Sequence, residues 1–167
     1  IHGDLRGANV LISSHGIPRL IDFGLATVVG GIPAFSASST IAGTVRWMAP
    51  ELQVAEGQGT TAASDVFAFG MTMLELFTGA PPFSEIKNDI AVLLKYQQGI
   101  RPSRPINPRK NRENNNRLDE RKNASICVAM DDNTWDLVQR CWNQDLRRRP
   151  ATRQTLKWFQ PQRKQAR

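Results

Sequence analysis

The first 24 residues concentrate the side chains that could do chemistry. Asp4, Asn9 and Asp22, with Arg6 between the first two, place two carboxylates, an amide and a guanidinium in one short stretch. Carboxylate and amide oxygens can orient a hydroxyl or hold a hard cation, and a fixed guanidinium favours developing negative charge. Taken singly, Asp4 and Asn9 also read as turn formers and Asp22 as a helix cap. His2 and His15 lack metal-ligand spacing to each other or to the cysteines, which argues against a structural zinc site. Cys127 and Cys141 stand 14 residues apart with no CxxC pair. A disulfide between them is open, but Cys141 falls in the apolar-periodic stretch Leu137, Val138, Cys141, Trp142, which favours a buried, reduced thiol.

The joint spacing says more than the single residues. His2-Gly3-Asp4-Leu5-Arg6-Gly7-Ala8-Asn9 resembles the protein kinase catalytic loop, a His-Arg-Asp-Leu run followed by three residues and Asn. Asp22-Phe23-Gly24 begins 13 residues after Asn9, and Ala49-Pro50-Glu51 follows, in the order of the kinase signature. Gly43 to Glu51 is similar to the substrate-positioning loop of the tyrosine-kinase-like group. Ser64 to Gly70 resembles the start of the kinase central helix, Cys141-Trp142 the group's C-terminal helix, and Arg149-Pro150 the site of the family's buried arginine.

What the resemblance implies is phosphoryl transfer from ATP to a protein hydroxyl, with Mg²⁺ as cofactor. Asp4 would orient the attacking hydroxyl, Asn9 and Asp22 would hold Mg²⁺, and Arg6 would reach the γ-phosphate. Asp65 would accept backbone N–H bonds from the catalytic loop, and Glu51 would pair with Arg149 or with its neighbour Arg148. Gly3 departs from the family's usual arginine, which normally meets a phosphate on the activation loop. Ser36, Ser38, Ser39 and Thr40 are candidate phosphosites that lose that cation, and they read equally as loop formers. Arg6 resembles some tyrosine kinases, whereas Thr44 matches the hydroxyl that serine/threonine kinases use to bridge the catalytic Asp and its cationic neighbour. The balance favours Ser/Thr.

These residues need elements to hold them. Asn9 to Ile12 and Arg19 to Ile21 are β-prone runs joined by Ser13-Ser14-His15-Gly16, a hairpin. Ser64 to Thr78 is apolar nearly all round, begins on a capping serine and stops at Gly79-Ala80-Pro81-Pro82, so it belongs at a domain centre. Ile86, Ile90, Leu93, Leu94 and Gln97 predict a helix over 86–98. Further helices are expected over 134–142, capped by Asn133, and over 151–159.

One domain fits 167 residues with 40% hydrophobic content, and no apolar run reaches the roughly 20 residues of a membrane helix. The net charge of +7 is uneven: residues 1–100 carry −3, while 101–126 and 127–167 carry +5 each. The densest basic stretch, Arg109 to Lys122, has no aromatic residue and reads as a solvated loop rather than a nucleic-acid surface. The expected fold is mainly α with a small β-hairpin, a protein-kinase-like C-terminal lobe fragment. Residues 1–102 carry the catalytic loop, Mg²⁺ loop, activation segment and central helices; 103–132 form a basic insertion or loop; 133–159 are the C-terminal helices; 160–167 are a basic tail. No Gly-rich phosphate loop or strand lysine stands in this sequence, so the kinase N-lobe is expected in a parent chain and the fragment alone should be inactive. A protein substrate, no membrane or nucleic-acid partner, and an intracellular, cytoplasmic setting complete the reading. The alternative is a pseudokinase or scaffold lobe that binds a partner without catalysis.

Overall fold

The computed structural model describes residues 1–23, 26, 44–54, 59–105 and 129–159. The hairpin consists of β1 (Val10–Ile12) and β2 (Pro18–Leu20), antiparallel, with Val10 opposite Leu20 and Ile12 opposite Pro18. Ser13 closes the turn by accepting the Gly16 N–H, and Gly16 takes φ 75°, a conformation natural to glycine. The hairpin is exposed: Leu11, Ile12, Ile17 and Leu20 all face solvent substantially.

Five helices make up the rest of the described secondary structure, apart from two 3₁₀ turns at Gly7–Asn9 and Leu146–Arg148. The helices are α1 (Glu51–Val54), α2 (Ala62–Thr78), α3 (Asp89–Gln97), α4 (Asp132–Cys141) and α5 (Thr152–Phe159). α2 lies at the centre of the core, burying Val66, Phe67, Met71, Met73 and Leu74 against Trp47, Val92, Tyr96, Leu137 and Val138 among others. Gly70 lets α4 close in, since a Cβ there would stand 2.9 Å from Cys141 Cβ.

The strands shift by one residue, and three helices start two or three residues away from the sequence reading. α2 starts at Ala62 because Thr61 is its cap: Thr61 Oγ1 accepts the Ser64 N–H and Ser64 Oγ accepts the Thr61 N–H. α3 starts at Asp89, with Asn88 accepting the Ile90 N–H. α4 is capped by Asp131 rather than Asn133, and its carboxylate takes both the Thr134 N–H and the Thr134 hydroxyl.

The buried face of α3 differs as well. Val92 and Tyr96 are fully buried, while Ile90 and Leu94 are 66% and 57% exposed. Tyr96 decides the rotation. Its ring packs on Phe67 and Phe83, and its hydroxyl donates to the Arg46 carbonyl at 2.6 Å. Burial pushes that phenol well above its ordinary pKa. Leu76, expected inside an all-apolar helix, is 64% exposed in the last turn of α2.

Cys141 is a free, buried cysteine. Its supposed partner Cys127 lies outside the described residues, as do Gly24, Ser36, Ser38, Ser39, Thr40, the stretch 106–128 and the tail from 160. Among the described residues no helix is long and apolar enough to cross a membrane.

Candidate active site

Residues 1–6 form an irregular loop that leads through the Gly7–Asn9 3₁₀ turn into β1, and α2 holds it from below. Asp65, in the first turn of α2, accepts the His2 N–H at 2.7 Å and the Gly3 N–H at 2.9 Å. Loop N–H groups without partners in secondary structure are the donors that a half-buried carboxylate needs. Gly3 takes φ 84°, which glycine adopts at no steric cost. Thr72 Oγ1 has one proton to give: it lies 2.8 Å from the Ala68 carbonyl of its own helix and 3.2 Å from the Leu5 carbonyl, on the same face as Asp65. His2 is buried: its Nδ1 accepts the Asp4 N–H at 3.3 Å, so Nε2 carries the proton and donates to the Ile21 carbonyl at 3.0 Å. One imidazole thereby links the loop of Asp4 to the strand end that precedes Asp22.

Asp4 sits inside this frame and is 7% exposed. Asn9 Nδ2 donates to the Asp4 carbonyl at 2.7 Å and to Asp4 Oδ2 at 2.9 Å. Only the NH₂ group can donate, so these two bonds fix the amide orientation and leave the Asn9 oxygen as an acceptor. Arg6 Nε lies 3.4 Å from Asp4 Oδ2, an ion pair too loose to be a hydrogen bond. Asp4 Oδ1 is buried with no hydrogen-bond partner among the described residues, and neither has Arg6 Nε. A buried acceptor left unpaired is costly, and an arriving O–H donor would relieve it.

Asn9 and Asp22 belong to one local unit, because the Ile21 N–H donates to the Asn9 carbonyl at 3.0 Å. Asp22 is exposed and takes φ 60°. An amide oxygen and a carboxylate are hard oxygen donors, the type that suits Mg²⁺ bridged to phosphates. Thr44 stands at the start of the 44–50 segment, and no hydrogen bond joins its side chain to Asp4 or Arg6 among the described residues.

The 44–50 segment is anchored strongly. Arg46 donates to the carbonyls of Pro82, Phe83 and Ile86 at 3.0, 2.6 and 2.6 Å, and pairs with Asp89 at 2.9 Å. Gln97 of α3 donates to the Pro50 carbonyl at 3.0 Å. At the end of the segment, Arg149 meets Glu51 through two bonds of 2.6 and 2.8 Å, with the arginine side chain wholly buried. Arg148 points instead to Asp145, at 3.8 Å, and is exposed.

The structure therefore brings Asp4, Arg6 and Asn9 together, gathers the loop on Asp65, and ties Glu51 to Arg149. Sequence reasoning missed His2, Arg46 and Glu75. Glu75 accepts the Gly7 N–H and the Trp47 indole N–H, both at 2.9 Å. The available signal for it was a lone acid late in an apolar helix.

Comparison with known proteins gives the family. Residues 1–159 match the protein kinase domain family. Over 156 residues the chain is 30% identical to MAP3K epsilon protein kinase 1 of Arabidopsis thaliana, covering 93% of this chain and 9% of that protein. It is 36% identical over 94 residues to mitogen-activated protein kinase kinase kinase 3 of the same plant, covering 56% of this chain and 14% of that one. Cytokinesis protein sepH of Aspergillus niger is 41% identical over 87 residues, covering 52% of this chain and 6% of that protein. The chain thus spans a small part of each of these relatives. With the family match running over nearly its whole length, the chain belongs to the protein kinase domain family.

Proposed function

We propose that this chain is the C-terminal lobe of a protein kinase of the tyrosine-kinase-like group, acting on serine or threonine hydroxyls of a protein substrate. The observation that carries the reading is the state of Asp4: held by Asn9, framed by Asp65, and left with one buried oxygen that lacks a donor. That oxygen suits a substrate O–H. Oriented there, the hydroxyl loses freedom before reaction and passes its proton toward the carboxylate as the phosphoryl group transfers. Arg6, beside Asp4, supplies a fixed positive charge near the developing negative charge. Asn9 and Asp22 would hold Mg²⁺, which when bound neutralises charge on the ATP phosphates.

The kinase kinase kinase names of two relatives support the Ser/Thr preference. The segment from Gly43 to Glu51 supports the group assignment. The exposed apolar side chains Ile12 and Leu20, on one face of the hairpin, support a nucleotide-covering lobe packing there.

The test has two arms. The purified chain alone is titrated with Mg-ATP and assayed for radiolabel transfer, with affinity no better than millimolar and no transfer expected. The same chain in a kinase complete with its N-lobe should transfer phosphate. There, Asp4→Asn should slow single-turnover transfer by roughly 10²–10⁴ with ATP affinity nearly unchanged. An undiminished rate in Asp4→Asn would overturn the catalytic assignment, and micromolar ATP affinity of the chain alone would overturn the lobe assignment.

A further inference from the structure

The end of α4, the Leu146–Arg148 turn and α5 enclose an open cleft of about 410 Å³ that shares no residue with the Asp4 site. Among the described residues its walls include four arginines and no carboxylate. From Asp136 to Trp158 the chain carries six basic and two acidic side chains, a net +4. The carboxylates nearby are too few for the guanidiniums. Arg149 is taken by Glu51, and Arg140 by Asp136 at 2.8 Å. Asp145 is left to serve both Arg147 and Arg148. Arg147 claims it, with its backbone N–H at 3.0 Å and its Nε at 3.1 Å. Arg148 Nε stands 3.8 Å away, beyond hydrogen-bond distance. The Arg148 side chain is 77% exposed, and its guanidinium makes no hydrogen bond among the described residues.

Two other side chains give the cleft its character. Gln154 Oε1 accepts the Ala151 N–H at 2.9 Å, so its NH₂ group is the part left to donate. Trp158 supplies a flat apolar wall, 39% exposed, with the Arg140 guanidinium 5.9 Å from its ring centroid. Leu137 and Pro150 extend that wall. Forked guanidinium donors suit carboxylates and phosphates alike. A phosphate monoester, with nearly two charges and three acceptor oxygens, matches the surplus here better than one carboxylate does. A recess admits an extended protein segment, whereas a flat bilayer meets only its rim.

We infer that this cleft is a docking site for a phosphorylated segment of a protein partner. Arg148 and the Gln154 amide take the phosphate, and an apolar side chain next to it in the segment lies on Trp158. The inference does not rest on the kinase reading.

The probe is a short fluorescein-labelled peptide with a phosphoserine followed by leucine, titrated by anisotropy against the 167-residue chain. The same peptide with plain serine should bind at least about tenfold more weakly, since bonds to a charged group are lost. Arg148→Gln should weaken the phosphopeptide by a similar factor. Arg148→Lys, which keeps the charge but not the fork, should recover only part. Arg19→Gln removes an exposed charge from the hairpin and should leave affinity within about twofold. In the isotope-labelled chain, the Trp158 indole N–H signal should shift as the phosphopeptide is added. Arg148 is exposed, so its variants keep the fold, and the Trp158 signal without peptide checks this. No binding at about millimolar peptide overturns the proposal. So do equal affinity for the serine peptide, an equal loss in Arg19→Gln, and an unmoved Trp158 signal. Binding to phosphatidylcholine–phosphatidylserine vesicles that Arg148→Gln abolishes, with no peptide binding, would overturn it in favour of a membrane surface.

Discussion

Removing Arg149 should be among the most damaging single changes in this chain. The side chain is fully buried and makes four contacts: two to the Glu51 carboxylate, one from Nε to the Asn143 carbonyl at 2.9 Å, and one to the Ala63 carbonyl at 3.0 Å. Its guanidinium also lies 5.0 Å from the Phe67 ring centroid. In Arg149→Ala, Glu51 keeps its charge with 15% side-chain exposure, and two carbonyls lose their donor. Breaking one side of a buried pair costs about 3–5 kcal/mol, chiefly through the charge left unpaired. That lowers the folding equilibrium constant by roughly two to three and a half powers of ten. Urea denaturation of the purified chain, followed by tryptophan fluorescence, would show the midpoint fall with an unchanged slope. Arg148→Ala is the control: that side chain is exposed and among the described residues pairs only with Asp145, so its effect should stay within about 0.5 kcal/mol. If Arg149→Ala does not fold, Glu51→Gln, which keeps one accepting oxygen and sets an NH₂ against the other guanidinium N–H, should also lower the midpoint. A loss below about 1 kcal/mol in a folded Arg149→Ala chain would refute the reasoning.

Asp131 is held below the usual carboxylate range by the Thr134 N–H and hydroxyl, and Asp145 by its bonds to Arg147. Their stabilisation is present above about pH 4 and is lost as pH falls through the lowered folded values, so Asp131→Asn should flatten the acid limb of a stability-pH curve. Cys141 runs the other way: burial pushes its thiol up to about 12. The unfolded thiol ionises near 8.5, so stability should decline from about pH 8.5 upward, and urea midpoints of Cys141→Ala should decline less over that range. Gly70→Ala places a methyl 2.9 Å from Cys141 Cβ and 3.4 Å from the Val138 carbonyl, and should cost about 1–3 kcal/mol in the same assay.

Local pattern carried much of the fold. The run from Asn9 to Ile12, with turn residues behind it, marked the hairpin, and the apolar stretch 64–78 marked the central helix. The start of that helix was ambiguous in principle, because Thr61 and Ser64 cap each other and either hydroxyl alone looks like the cap. The α3 face went astray for a different reason. Spacing favoured Ile90 and Leu94, but a tyrosine with a buried ring and a bonded hydroxyl at 96 outweighs two aliphatics that can stay wet. In the site, Asp4, Asn9 and Asp22 were visible as a spaced set. The grip of Asp65 on His2 and Gly3 spans more than 60 residues, and no local periodicity encodes it; only the likeness to a family named Asp65 in advance. Nothing named Glu75.

What separates Asp65 and Glu75 from the rest of α2 is that they are the two carboxylates on a mostly apolar helix. A half-buried carboxylate must find donors, and an α-helix spends nearly all of its own N–H groups on itself. An irregular loop does not. Residues 2–7 lie outside any sheet or α-helix, so N–H groups there are left over from regular structure, and the two carboxylates of α2 take three of them. The loop is thereby ordered by a rigid element rather than by its own sequence, which permits glycine at positions 3 and 7 where the loop would otherwise be loose. Precision at Asp4 is then a property of the helix beneath it. Changes on that face of α2 should reach Asp4, while changes of equal energetic cost on the face toward α4 should lower stability and leave the loop as it is.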